Sequence, residues 1–248
     1  MKSFEDMPLG QIVLEYPRSA EILEHYRLDF CCGGKKILSD ACRDKDIALA
    51  DVCRDIEKAI QSPSQGQQPK PIHEQPAGFI VEYIQSNHHT YMRHAIPLIE
   101  RHLNKVAQVH GDHHPEMVTV REAFEALSSE LKLHLQKEEV ILFPYVCELE
   151  NYITHHAPIR PNGFGTVLNP IHVMEHEHAF AGQQMEKIRT LTADYHVPVD
   201  ACTTYRLLLH ELQEFEQDLH KHVHLENNVL FPKAVMMEKQ IFDKTTHN

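Results

Sequence analysis

The chain has 248 residues, with 24 Lys and Arg against 36 Asp and Glu, 21 His, no Trp and 42% hydrophobic residues, for a formal net charge of −12. Such a length and apolar content suit one or two domains with real cores and exclude disorder for the bulk of the chain. The negative charge, with no run of Lys or Arg against it, excludes a nucleic-acid partner.

No stretch approaches the roughly eighteen apolar residues of a membrane span. The start, MKSFEDMPLG, places Glu5 and Asp6 where a signal peptide needs a basic and then an apolar segment. A cytoplasmic protein without a membrane partner is expected. The six cysteines, Cys31, Cys32, Cys42, Cys53, Cys147 and Cys202, contain no Cys-x-x-Cys pair and are too sparse for a disulfide scaffold, so reduced thiols are expected.

Taken in chain order, residues 1–60 read as a small helical domain. Ile12, Val13 and Tyr16, then Ala20, Leu23 and Tyr26, recur at three- and four-residue intervals, with Pro17 and Ser19 opening a second helix. Gly33-Gly34 reads as a turn, and Ile47, Leu49, Val52, Ile56 and Ile60 as a further helical stripe. The Pro- and Gln-rich segment 61–76 has the composition of an exposed linker. From 77 to about 240 the pattern is helical, broken at 110–116, 155–165 and 194–200, which leaves four helices at roughly 77–109, 117–150, 168–192 and 200–238. With no strand signals the fold class is all-α, and short connections make the second part an up-down-up-down four-helix bundle.

The second and fourth bundle helices share a phrase. HLQKEEVILFP and HVHLENNVLFP are both His-x-x-x-Glu-x-x-x-Leu-Phe-Pro, carrying His134 and Glu138 in one copy and His222 and Glu226 in the other. An i,i+4 His and Glu pair shares a helical face, so its nitrogen and oxygen can serve one metal site. A duplicated hairpin kept for packing would explain Leu-Phe-Pro but not a polar pair on the same face.

In antiparallel neighbours, two residues at equal depth lie symmetrically about the loop between them. His89 on the first helix and His178 on the third satisfy this with His134 and His222 across all three breaks. Four His and two Glu, namely His89, His134, Glu138, His178, His222 and Glu226, are thus expected in one layer. Two imidazoles per metal with two carboxylates able to bridge describe a dinuclear centre, for which iron is the natural occupant and zinc or manganese remain open.

Other histidines fit less well. His110 falls far along the axis and reads as surface, and His88 points about 100° from His89 and is the fallback ligand. His176 cannot face the centre together with His178, and His220 and His224 read as solvated. Glu130 and Glu177 are candidates for polar support of the ligands or a proton path, with plain solvation as the alternative.

Cys31 and Cys32 follow an apolar helix and precede Gly33-Gly34. They read either as small buried hydrophobes or as a redox-active or ligand-binding pair favoured by exposed amides and by Lys35 and Lys36. The other four cysteines sit in helical patterns and read as structural.

DFCCGG, the Pro-rich linker, HLQKEEVILFP, NPIHVMEHEH, DACTT and HLENNVLFP together resemble the repair of iron centres family over nearly the whole chain. That resemblance implies a hemerythrin-like bundle with two non-haem iron ions, oxo- and carboxylate-bridged. His89, His134, His178 and His222 would be terminal ligands, and Glu138 and Glu226 the bridges. It also implies that Cys31 and Cys32 act with the centre, and that the protein repairs iron-sulfur clusters damaged by nitrosative or oxidative stress, by iron donation. The alternative is a nitric oxide reductase, or a sensor binding oxygen or nitric oxide, at the same centre. The implied partners are damaged iron-sulfur proteins and those small gases, with the chain a monomer or homodimer. Met174 and Gly182 flank His178 at i−4 and i+4, where hemerythrin proper would place a further His, which argues against simple oxygen carriage.

Overall fold

The computed structural model describes residues 4–61 and 71–245, so the centre of the expected linker, 62–70, lies outside the described residues. Four short helices come first: α1 (Leu9–Glu15), α2 (Ser19–His25), α3 (Leu38–Asp44) and α4 (Leu49–Gln61). Four long ones follow: α5 (77–110), α6 (116–155), α7 (Leu168–Leu191) and α8 (203–245). Among the described residues there is no strand, only one antiparallel bridge between Pro8 and Ile37.

Close seams join α5 to α6, α6 to α7 and α5 to α8. The α7–α8 pair has none, and the amino-terminal helices lie against that side. Carboxylates hold two helix starts that have no cap of their own: Glu150 accepts the Ala77 and Gly78 amides, and Glu238 accepts the Val167 amide, the Tyr145 hydroxyl and the Thr166 hydroxyl. The α7–α8 connection turns through three successive left-handed residues, Ala193, Asp194 and Tyr195. Those costly conformations are held by the Tyr195 hydroxyl, which donates to buried Glu216.

Three of the long helices are not α-helical throughout. Ile84–His89, Glu138–Leu142 and Glu226–Leu230 are π-turns, closed by i→i+5 bonds from Thr90 to Gln85, Phe143 to Glu138 and Phe231 to Glu226. In the last two the sequence supplies the cause. Pro144 and Pro232 have no N–H for the carbonyls of Val140 and Asn228, and their rings crowd that turn, which one extra residue relieves.

The apolar core is in two parts. One runs from the amino-terminal helices through Met92, Leu135, Ala181 and Val223; the other takes in Ile84, Leu142, Met174 and Leu225. A buried polar layer separates them on every long helix.

Candidate metal centre

That layer is made of the six residues expected from the spacing. His89, His134, Glu138, His178, His222 and Glu226 are all 0–1% exposed. Their donor atoms form two groups, each within 4.8 Å: His89, His222, Glu138 and Glu226 in one, His134, His178, Glu138 and Glu226 in the other. Both carboxylates belong to both groups. Across the layer His89 Nε2 lies 3.2 Å from His222 Nε2, and His178 Nε2 lies 3.1 Å from His134 Nε2.

Glu138 Oε2 sits 3.4 Å from the Nε2 atoms of His89 and His134, and Glu226 reaches His222 at 2.8 Å and His178 at 3.1 Å. Both oxygens of Glu138 and one of Glu226 nevertheless make no hydrogen bond, although fully buried. An uncompensated buried carboxylate is expensive, and a cation among the four imidazoles is what would offset it.

The electrostatics have the same origin. Burial and the facing Glu226 push the Glu138 carboxyl up to about 8. Burial also opposes charge on His178, but contact with Glu226 and the field of Glu138 outweigh it and lift His178 to about 9. His222, for which burial dominates, falls to about 4, and His134 is lowered for the same reason. Glu226 is held well below the carboxylate range: burial opposes this, and His222 and His178 overcome it.

Three imidazoles are aimed by their far nitrogen. His89 Nδ1 meets Glu139 at 2.7 Å, with Arg93 on the same carboxylate. His134 Nδ1 meets Glu177 at 2.9 Å, and Glu177 is paired with Lys137. His178 Nδ1 donates to Asn227 Oδ1 at 2.9 Å. Such partners set ring orientation and tautomer and raise ligand basicity. Glu177 is therefore a support. Glu130 is not, since it reaches only Lys137, at 3.9 Å.

Sequence reasoning missed Glu139 and Asn227, which stand next to Glu138 and Glu226; Glu139 carries no signal apart from that adjacency. It also treated Leu-Phe-Pro as packing alone. Phe143 stacks on His89 at 5.5 Å and Phe231 on His178 at 6.0 Å, so the phrase builds walls of the polar layer.

Other expectations need correction. His224 is 4% exposed rather than solvated, and burial lowers it to about 4. It packs on Phe30, while His220 is half-buried against Phe30 and Glu24. The amino-terminal helices cover a face that bundle periodicity assigns to solvent. His110 is half-buried, with Nε2 3.2 Å from Cys202 Sγ, and Cys202 is exposed at the start of α8 rather than inside a helix. His88 is buried but turned away from the donor groups, paired with Asp218 and stacked on His222.

Cys31 and Cys32 lie beside the layer rather than in it. The Asp29 carboxylate accepts the amides of Cys31, Cys32 and Gly33 and the Cys31 thiol, which shapes the turn. Asn228, in the π-turn of α8, donates to the carbonyls of Phe30 and Cys31 at 3.2 Å each. Its neighbour Asn227, which holds His178, is 3.5 Å from the Cys31 carbonyl. The Cys31 thiol is pushed well up by its contact with Cys32 and by burial; Cys32 is lowered, first by the Cys31 thiol and also by His178. Cys32 Sγ lies 3.9 Å from where a Cβ on Gly182, one turn after His178, would stand, which is ordinary contact distance.

A helical bundle whose buried layer is two imidazole and carboxylate groups sharing two Glu is a hemerythrin-type cation-binding protein, and the donor set suits non-haem iron. Residues 82–234 match the hemerythrin HHE cation binding domain, and residues 5–60 match ScdA_N, a domain of unknown function. The iron-sulfur cluster repair protein YtfE of Pectobacterium carotovorum is 35% identical over 237 residues, covering 95% of this chain and 100% of its own. The protein of that name from Escherichia coli O8 is 32% identical with the same coverage. The chain belongs to this family of iron-sulfur cluster repair proteins.

Proposed function

We propose that the chain repairs iron-sulfur clusters by holding two non-haem iron ions in the polar layer and giving up iron to damaged clusters. His89 and His222 would hold one ion and His134 and His178 the other, with Glu138 and Glu226 between them. The observation that carries this is the pair of fully buried carboxylates with oxygens that no hydrogen bond satisfies, each within reach of both imidazole pairs. Bound iron would supply redox change and exchangeable coordination positions. The protein's part is to fix the imidazoles, exclude water with Phe143 and Phe231, and keep Cys31 and Cys32 beside His178.

Two imidazoles per ion, with no thiolate among the donors, favour release, and acid should assist it because an imidazole must be unprotonated to bind metal. The family names of the relatives support repair over gas sensing or nitric oxide reduction. No helix among the described residues is long and apolar enough to cross a membrane, in keeping with work on cytoplasmic clients. The test mixes iron-loaded protein with a cluster enzyme inactivated by nitric oxide. Recovery of activity beyond that given by the same amount of free ferrous iron is expected; recovery equal to free iron overturns the reading.

A further inference from the structure

The four imidazoles are not equally supported. His89, His134 and His178 each have an acceptor for Nδ1, whereas His222 Nδ1 is buried with no partner. One turn earlier on the same helix, Asp218 has a matching deficiency. Its Oδ1 is taken by His88 Nδ1 at 2.9 Å, and its Oδ2 is buried with no partner. Residues four apart on a helix are neighbours. The His88 ring touches both residues: its Nδ1 pairs with Asp218, and the ring stacks on His222 at 5.7 Å, inclined by only 12°. Tyr83 packs edge-on against His88.

Tautomer chemistry shows when these two atoms would need each other. His222 Nε2 lies 2.8 Å from the Glu226 carboxylate, a contact that the tautomer with its proton on Nε2 satisfies. When Nε2 binds a metal, the neutral ring must carry its proton on Nδ1, and a buried N–H without an acceptor is costly. Asp218 Oδ2, one turn away on the same helix, is a buried acceptor with no partner.

We propose that Asp218 is the positioning carboxylate for His222. It accepts the Nδ1 proton when the ring becomes a ligand, directly or through one bound water, and is itself held by His88. The buried His88–Asp218 pair then has a role that neither residue has as a ligand. This rests on the reading that the layer holds metal.

The experiment titrates zinc into metal-free full-length protein and follows two quantities: the affinity at each half of the layer, and the His222 Nδ1–H resonance by NMR of the zinc-loaded protein. Wild type should take up two zinc ions and show a slowly exchanging His222 Nδ1–H. Asp218→Ala should lose that resonance and weaken one ion by about 10–100-fold while sparing the other, the effect typical of a lost ligand support. Asp218→Asn, which keeps an acceptor oxygen, should restore most of the affinity and folds if the alanine variant does not. Glu139→Ala, acting on His89 in the same half, calibrates the scale. Two ions bound with unchanged affinity and an unchanged resonance in Asp218→Ala overturn the positioning role alone. No zinc uptake by wild type overturns the metal reading first and this proposal with it.

Discussion

The thiol-bearing turn is fastened to the polar layer chiefly by Asn228, which packs against two glycines, and that arrangement can be broken by a single methyl group. A Cβ on Gly34 would stand 2.5 Å from Asn228 Oδ1 and 2.6 Å from the Phe30 carbonyl oxygen, and one on Gly10 would stand 2.7 Å from the same Asn228 atom. In Gly34→Ala the Asn228 amide can swing away, but the Phe30 carbonyl is backbone and cannot. Overpacking of this kind costs about 1–3 kcal/mol, and the two lost Asn228 bonds about 0.5–1.5 kcal/mol each, for a total of roughly 2–6 kcal/mol. For a chain of this size each kcal/mol is worth about 2–4 °C. Calorimetry should therefore show Tm lower by roughly 4–24 °C, or a separate early transition for the amino-terminal helices. Cys31 is 6% exposed, so its alkylation reports release of the turn. A rise of at least tenfold corresponds to about 1.4 kcal/mol. Because Asn228 mediates part of the cost, Gly34→Ala should be milder in an Asn228→Ala background. A Tm within about 1 °C of wild type, together with unchanged Cys31 alkylation, would refute this account of the docking.

Three further outcomes follow from the same geometry. Glu138→Ala or Glu226→Ala should reduce iron at both positions, whereas His134→Ala should spare the His89/His222 half; iron per chain measured after gel filtration separates these, and equal loss from all three contradicts the shared-carboxylate arrangement. Glu216 is buried and accepts from Arg189 and Tyr195, so Glu216→Ala leaves a half-buried guanidinium and a buried hydroxyl without their acceptor and should cost about 1.5–3 kcal/mol in urea unfolding; a loss under about 1 kcal/mol contradicts it. His114 is raised first by its hydrogen bond to Asp200, against a small burial effect, and further by Glu116. Its pairing therefore stabilises fully below the unfolded value near 6.5 and fades as pH rises through the folded value. Asp200→Asn should lower Tm at pH 6 and have little effect at pH 9, and an equal effect at both excludes the ion pair.

The depth of the six donors was legible because antiparallel neighbours turn chain position into height, and three short breaks fix the zero of that scale. Repetition of His-x-x-x-Glu then separated two pairs from many chance ones. The π-turns were not read, although Pro two residues past each repeated Leu is their cause. An extra residue inside a helix shifts everything after it by about 100° without altering composition, and that shift brings Phe143 and Phe231 over the ligand rings. His224 was misplaced for a different reason. Periodicity within a bundle identifies the face turned from its own axis, but not whether another part of the chain covers that face. Asn227-Asn228 in the middle of a long helix, where Asn is a poor former, was the available clue to a polar seam there.

The most direct measurement is diffraction from crystals of iron-loaded protein on either side of the iron absorption edge. The account predicts two anomalous peaks per chain in the polar layer, one beside His89 and His222, the other beside His134 and His178, with Glu138 and Glu226 reaching both. A single peak, or peaks at the Cys31-Cys32 turn with the layer closed around its own carboxylates, would contradict it.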